Sequence, residues 1–257
     1  MLTHHSVWID GQGLQDIDDA VFVVDVFEGT PRLHIETADN PNADGARMLF
    51  RYRREFEITV LFLIRDRDPS RRREIMDDVL AWCVNGQLTT SARPGTYANV
   101  KVTSYPSIDS NADWTRSLQI TLTAYEGYWL SEDPQTETDT TVATVEKEIT
   151  IIPAGTADAC YLEFEIANGA VGTMDTISID VNGYAFTFAS LGLAVNKSLI
   201  CGYDDNGWIY FTIDGVSVMD KRSGDDDLIL NQREVNTVAI TTQRAATVTL
   251  NARGRWK

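Results

Sequence analysis

A chain of 257 residues exceeds what one compact core usually needs, and its 43% hydrophobic and 23% charged residues match folded proteins, not disordered ones. The formal net charge of −16 excludes a surface built to neutralise phosphates, so sequence-specific reading of nucleic acid is not expected. Counting to residue 135 gives 13 basic and 21 acidic residues, and 9 and 17 after it, so each part carries −8 and there is neither an acidic tail nor a basic arm.

Period-two alternation dominates and predicts strands with one buried face. Val21 to Phe27 and Arg32 to Thr37 are candidates, and Glu55 to Arg65 is the strongest apolar strand. There Phe56, Ile58, Val60, Phe62 and Ile64 share one face while Leu61 and Leu63 are apolar on the other, a pattern that predicts cover on both sides, by the core and by a neighbour. Phe56, Ile58, Val60, Leu61 and Leu63 are the candidate residues should that strand serve a subunit interface, and pattern alone does not separate interface from core among them. One helix is legible over about residues 69–84: Asp68 as N-cap, Pro69 at the first helical position, Ile75, Met76, Val79, Leu80 and Cys83 at three- and four-residue spacing, and Asn85-Gly86 as a left-handed stop. Arg71, Arg72 and Arg73 sit where the helix dipole disfavours cations, which fits either a solvated turn or an acidic partner surface. After an Arg93-Pro94-Gly95 turn come strands at Tyr97 to Val102 and Ser117 to Ala124, and the first domain closes near Tyr128 to Leu130.

Ser131 to Thr141 is polar, acidic and without a large apolar residue, and reads as the best linker in the chain. Beyond it the chain is nearly pure antiparallel β. Cys160, Leu162, Phe164 and Ile166 alternate with polar or aromatic residues, and so do Ile177, Ile179 and Val181. Asn182-Gly183, Asn206-Gly207 and Asp214-Gly215 are two-residue hairpin signals. With strands at Glu146 to Ile152, Tyr184 to Phe188, Ser198 to Cys201, Trp208 to Ile213, Val235 to Thr241 and Thr247 to Ala252, about eight or nine make a β-sandwich. The expected fold is thus mainly β: a β-rich domain with one helix over residues 1–135, a linker at 136–141, and an antiparallel sandwich over 142–257.

Chemistry is sparse. The histidines are His4, His5 and His34; the first two lie at a terminus read as frayed, the third in a strand, and no GxSxG positions a serine. Cys83, Cys160 and Cys201 show no CxxC spacing and are odd in number, which suits a reducing compartment and no zinc. Asp204 to Gly207 and Asp225 to Asp227 are oxygen-rich, yet neither continues into a calcium loop. Gly11-Gln12-Gly13 and Gly192 belong to no phosphate-binding motif. No catalytic residue, cofactor or metal is indicated. No apolar stretch approaches the ~18 to 20 residues of a membrane span, and Met1 to Asp10 lacks a signal-peptide pattern, so synthesis in the cytoplasm without membrane insertion is expected. One site-like feature remains: Trp208 and Tyr210 share a strand face, and if Ile209, Phe211 and Ile213 point inward, the pair is exposed and suited to stacking on sugar.

The order of these features resembles the distal tail proteins of siphophages. The likeness is carried by REFEITVLFLIRD leading into PSRRREIMDDVLAWCVNG, a short strand with Leu88, the turn at Arg93 to Gly95, Tyr97 in the next strand, and SLQITLTAYEGYW at Ser117 to Trp129. It covers about residues 50 to 130 in local pattern and the whole chain in layout. The resemblance implies a virion tail tip with a homo-hexameric ring of first domains between tail tube and tip hub protein. It also implies a galectin-like or carbohydrate-module-like jelly roll that projects outward to dock a receptor-binding protein or a host saccharide. The family has no catalytic motif to carry over. A sugar-binding or adhesion module on a β support domain is the alternative reading, resting on Trp208 and Tyr210.

Overall fold

The computed structural model describes residues 5–39, 46–106, 117–203, 208–225 and 228–256. Contacts within the chain divide it into two compact units, one reaching to Leu130 and one over Ser131–Trp256.

The first unit contains β1 (Val7–Ile9), β2 (Gln12–Gly13), β3 (Val21–Glu28), β4 (Leu33–Asp39), β5 (Ala46–Arg53), β6 (Phe56–Ile64), the helix α1 (Pro69–Trp82), β7 (Gly86–Thr90), β8 (Thr96–Ser104), β9 (Leu118–Ala124) and β10 (Trp129–Ser131). Its main sheet runs in the order β2-β1-β7-β8-β9-β6-β3, with antiparallel pairing at every step, and β4 and β5 form a separate hairpin. Strand β6 lies between β9 and β3, and its alternation sends Phe56, Ile58, Val60, Phe62 and Ile64 into the core, each at most 3% exposed. Each such side chain contributes roughly 1.5–3 kcal/mol of burial, which fixes the register of the strand.

The helix starts where its cap chemistry dictates. Asp68 is extended and its Oδ1 accepts from the Ser70 N–H at 2.9 Å, with Pro69 behind it. Ile75, Met76, Val79 and Trp82 form the buried stripe. Its end corrects the sequence reading: Asn85-Gly86 is not a left-handed stop, because the chain leaves the helix through Cys83 at φ −70° and ψ 76°, and Gly86 opens β7. A side chain on Gly86 would collide with the Asp10 carboxylate, which accepts from the Gln87 N–H at 2.8 Å. The arginine-rich first turn is partly satisfied within the unit. Arg71 pairs with Asp18 and Asp66, each at 3.2 Å, and Arg72 donates to the Asp66 carbonyl at 2.8 Å.

The second unit contains β11 (Gln135–Thr141), β12 (Lys147–Ile151), β13 (Ala159–Asn168), β14 (Ile177–Val181), β15 (Tyr184–Phe188), β16 (Ser198–Tyr203), β17 (Ile209–Ile213), β18 (Val216–Ser217), β19 (Arg222–Gly224), β20 (Ile229–Asn231), β21 (Asn236–Thr242), β22 (Ala246–Ala252) and β23 (Arg255–Trp256). One sheet runs β11-β22-β13-β16-β17-β18, with β20 also on β13, and the other runs β12-β21-β14-β15-β19. Between them lies one continuous apolar core, centred on Phe164, Phe186, Phe188 and Phe211 with ring centroids 5.2–6.4 Å apart. Asn182 and Gly183 take φ of 54° and 92° between the paired Val181 and Tyr184, the turn that the dipeptide predicts.

The segment read as linker, 136–141, is instead most of β11. Its polarity reflects an edge position rather than disorder, because a full-length ladder with β22 pairs the side of its backbone that faces the sheet. Side chains add to the ladder: Thr136 bonds Asn251 at 2.8 Å, Lys147 pairs with Asp139 at 2.7 Å, and the buried Thr141 hydroxyl meets that of Thr242 at 2.6 Å.

Candidate functional site

Among the described residues, no group of three or more His, Cys, Asp or Glu side chains is placed to hold a metal ion. Asp204 to Gly207 and Asp226-Asp227 lie outside the described residues, and so does His4. Asp225 closes the end of the β15 hairpin, its carboxylate accepting from the Ala185 N–H at 3.0 Å. His5 sits 3.6 Å from Asp25. All three cysteines are free and buried. Burial pushes the Cys83 thiol up to about 12 and Cys160 up to about 11, and also raises Cys201, the direction opposite to nucleophile activation.

The candidate interface strand divides in two. Phe56, Ile58 and Val60 are consumed by the unit's own core, 3%, 0% and 0% exposed, and have no surface left to offer a neighbour. The physical reason is the strict alternation of β6, whose strongest apolar face turns inward. Leu61 and Leu63 are partly accessible on the other face, opposite Asp25 and Phe22 of β3. The exposed apolar surface continues on that neighbour. Val24, at the bulge in β3, is 40% exposed and Phe27 is 53% exposed, while Leu33 and Ile35 of β4 are 49% each. Sequence reasoning places the surface on β6 and misses β3, although Phe22, Val24 and Phe27 give that strand an apolar second face.

In the second unit, Phe211 is fully buried, Ile209 and Ile213 pack against the core, and Trp208 and Tyr210 are 74% and 39% exposed. The orientation is the one that buries the three apolar side chains. Tyr210 is the register partner of Gly202, a residue with no place in the sequence reading. Glu163, on the outward side of β13, has its carboxyl held above the usual range by burial, opposed by the Arg253 charge. Nearby, Tyr161 and Tyr203 stack at 4.4 Å, and Arg255 lies 4.0 Å over the Tyr161 ring. A depression of the first unit, about 490 Å³ and open to solvent, is lined by Gly13, Asp16, Asp78 and Trp82, and the Trp82 indole N–H is already taken by the Gln12 carbonyl at 2.7 Å.

No protein-family model and no curated protein sequence matches the chain. Solved structures do. The crystal structure of the SPP1 Dit (gp 19.1) protein, called a paradigm of the hub adsorption apparatus in phages infecting Gram-positive bacteria, aligns over 97% of this chain and 98% of its own. Its TM-score is 0.65 at 14% identity. Chains of the phage p2 baseplate in its activated conformation, with Ca and with Sr, align over 99% and 97% of this chain at TM-scores of 0.49 and 0.48 and identities of 11% and 10%. The likeness carried in sequence by residues 50 to 130 thus extends, as fold, to nearly the whole length of the SPP1 Dit protein.

Proposed function

We propose that this chain is a structural component of a bacteriophage tail tip, in which the first unit builds a hexameric ring between tail tube and tip hub and the second unit offers a peripheral docking domain. The observation that carries this reading is the shared fold with the SPP1 Dit protein over both units, 97% of one chain against 98% of the other. The distribution of apolar surface supports it. A closed ring needs two complementary surfaces on every subunit. The first unit has a sheet with two ends, β2 and β3, and the β3 end carries Val24 and Phe27 beside Leu61 and Leu63. Patches of this kind, rimmed by polar residues, are where subunits meet.

The acidity fits a conduit. With −16 per subunit, a ring repels phosphate, so nucleic acid passing through it would not adhere. The partners in this reading are further copies of the chain, the tail-tube protein, the tip hub protein, and a receptor-binding protein or host saccharide at the second unit. The role is assembly, without catalysis, at the virion tail tip after synthesis in host cytoplasm. The test is co-purification with the tail-tube and hub proteins of the same phage, comparing wild type with Phe27→Asp and Val24→Asp. Both substitutions replace exposed side chains, so folding should be unchanged while self-association and co-purification fall; full retention of both would contradict the proposal.

A further inference from the structure

Five connections of the second unit lie at one end of its two sheets: β11–β12, β13–β14, β15–β16, β17–β18 and β21–β22. Register fixes this, because Thr141 and Asn168 both lie opposite Ala246, Ile177 lies between Phe188 and Thr242, and Leu199 lies opposite Ile213. Four of the five connections present an exposed valine. Val171 is 91% exposed, and Val142, Val145, Val195 and Val216 lie between 43% and 67%. A single surface aliphatic is ordinary, but five on neighbouring loops at one end make a patch of the kind that marks an interaction surface.

Hydrogen bonds join these loops into one surface. The Thr144 N–H donates to the Thr242 carbonyl at 2.8 Å. Arg244 donates from Nε to the Thr173 carbonyl at 2.6 Å and from Nη1 to the Val171 carbonyl at 3.1 Å. The fully buried Asn168 donates from Nδ2 to the carbonyls of Gly172 and Leu193, both at 2.9 Å, and its own carbonyl accepts from the Asn196 N–H at 2.9 Å. Lys197 pairs with Asp214 at 3.0 Å. Loops held in this way, carrying β-branched side chains with little rotamer freedom, lose little entropy when a partner covers them.

The same bonds quiet the charge. Glu146, Asp175 and Asp214 stand against Lys197 and Arg244 on these loops, a net −1, whereas Ser131–Trp256 as a whole holds 19 acidic and 8 basic residues, a net −11. Lys197 and Asp214 satisfy each other, Arg244 is held on carbonyls, and Asp175 accepts from the Gly192 N–H at 3.1 Å. The loop end is therefore aliphatic and close to neutral on a strongly acidic unit.

We propose that this loop end pairs with the same end of a second copy of the chain, in an isologous contact centred on Val171. Charge selects that occupant. A phospholipid surface is met by aromatic rings and free cations at loop tips, and these loops have no aromatic residue and both of their bases engaged. A basic partner is steered to the acidic sides of the unit, away from its neutral end. Two copies repel each other over most of their surface and meet here with the least repulsion, and a two-fold contact sets valine against valine without calling for a new polar partner. Val171 projects furthest, from the β13–β14 loop that Arg244 and Asn168 tie to the loops on either side, so the axis falls beside it. Five partly exposed valines cover less than the ~800 Å² that each partner of a stable complex buries, so free chains pair weakly. Copies joined through their first units meet at high effective concentration and pair efficiently; that strength rests on the ring reading above, whereas the contact itself does not.

The experiment uses the full chain carrying Val171→Cys, oxidised at high protein concentration and read as covalent dimer on a non-reducing gel. The three native cysteines are buried and offer no competing thiol. Val235→Cys is the control, 65% exposed and next to Asn236, which pairs with Ile151 at the far end of the sandwich. The expected result is dimer formed about tenfold faster through Val171→Cys than through Val235→Cys, and slowed to the control rate when Val145→Asp and Val216→Asp are added, with thermal unfolding unchanged. Equal rates at the two positions, or a Val171→Cys rate indifferent to the added carboxylates, overturn the proposal. A cross-link to the hub protein in place of a second copy, or flotation with phosphatidylcholine vesicles that Val171→Asp abolishes, assigns the loop end to another occupant and also overturns it. Ring formation is read separately by mass: rings that persist without the Val171→Cys cross-link defeat this proposal alone, and the cross-link on chains that form no ring defeats the ring reading alone.

Discussion

Asn236 is the polar residue on which the second unit depends most, and its replacement has a calculable cost. It is fully buried at the start of β21. Its side-chain Oδ1 accepts from the Asn231 N–H at 2.7 Å and from Asn182 Nδ2 at 2.9 Å, and its Nδ2 reaches the carbonyls of Asn231, Glu234 and Ile151 at 2.8, 3.0 and 3.3 Å. One side chain thus ties the hairpin turn after β14, the β20–β21 connection and the end of β12. Asn236→Ala leaves at least the Asn231 N–H and one carbonyl without partners, at about 1–3 kcal/mol for each buried orphan with partial rescue by water, so roughly 2–4 kcal/mol in all. For a unit the size of Ser131–Trp256, each kcal/mol lowers Tm by roughly 3–5 °C, so a fall of ~6–20 °C is expected by differential scanning calorimetry. Asn236→Asp adds a pH signature. A carboxyl held against three carbonyls has a folded-state pKa above its unfolded value of about 3.9, so the variant is least destabilised below that value and loses stability as pH rises through the raised one. A Tm within about 2 °C of wild type for Asn236→Ala, or an Asn236→Asp protein more stable at about pH 8 than at about pH 4, would refute this account.

Single contacts carry the other predictions. Asp68→Ala removes the cap on the Ser70 N–H and should destabilise the first unit by about 1 kcal/mol, read as a lowered denaturation midpoint, whereas Asp68→Asn should retain most of it. Gly183→Ala forces a side chain to φ 92° and should cost about 1–2 kcal/mol, more than Asn182→Gly, by the same measurement. The three thiols should resist a disulfide-exchange reagent at about pH 8 in the native protein and react fully in denaturant; fast labelling of native Cys83 would contradict its burial and raised pKa.

Where pattern and environment agree, the sequence is legible. The alternation of β6, the Asp68-Pro69 helix start and the Asn182-Gly183 hairpin are local signals whose physical cause is local. Strand β11 is not legible in this way, because an edge strand wetted on both sides needs no apolar residues, only a partner ladder. Strand β1 hides in a stretch that reads as a terminus, although Asp10-Gly11, with φ of 50° and 79° between the paired Ile9 and Gln12, is the same hairpin signal as Asn182-Gly183. The candidate sugar face is half legible. Alternation orients Trp208 and Tyr210, but Gly202 and Glu163 come from strands distant in sequence, and only register brings them beside the aromatics. The interface residues show the opposite failure: apolar strength on β6 suggests a surplus, whereas Phe56, Ile58 and Val60 are fully used by the core.

The central claim is assembly, and the most direct measurement is the mass of the purified full-length chain over a wide concentration range, alone and with the tail-tube and hub proteins of the same phage, followed by negative-stain imaging. The account predicts a discrete closed ring of about six subunits with a central opening, dissociated by Phe27→Asp. A protein that stays monomeric at every concentration and in the presence of both partners would contradict it.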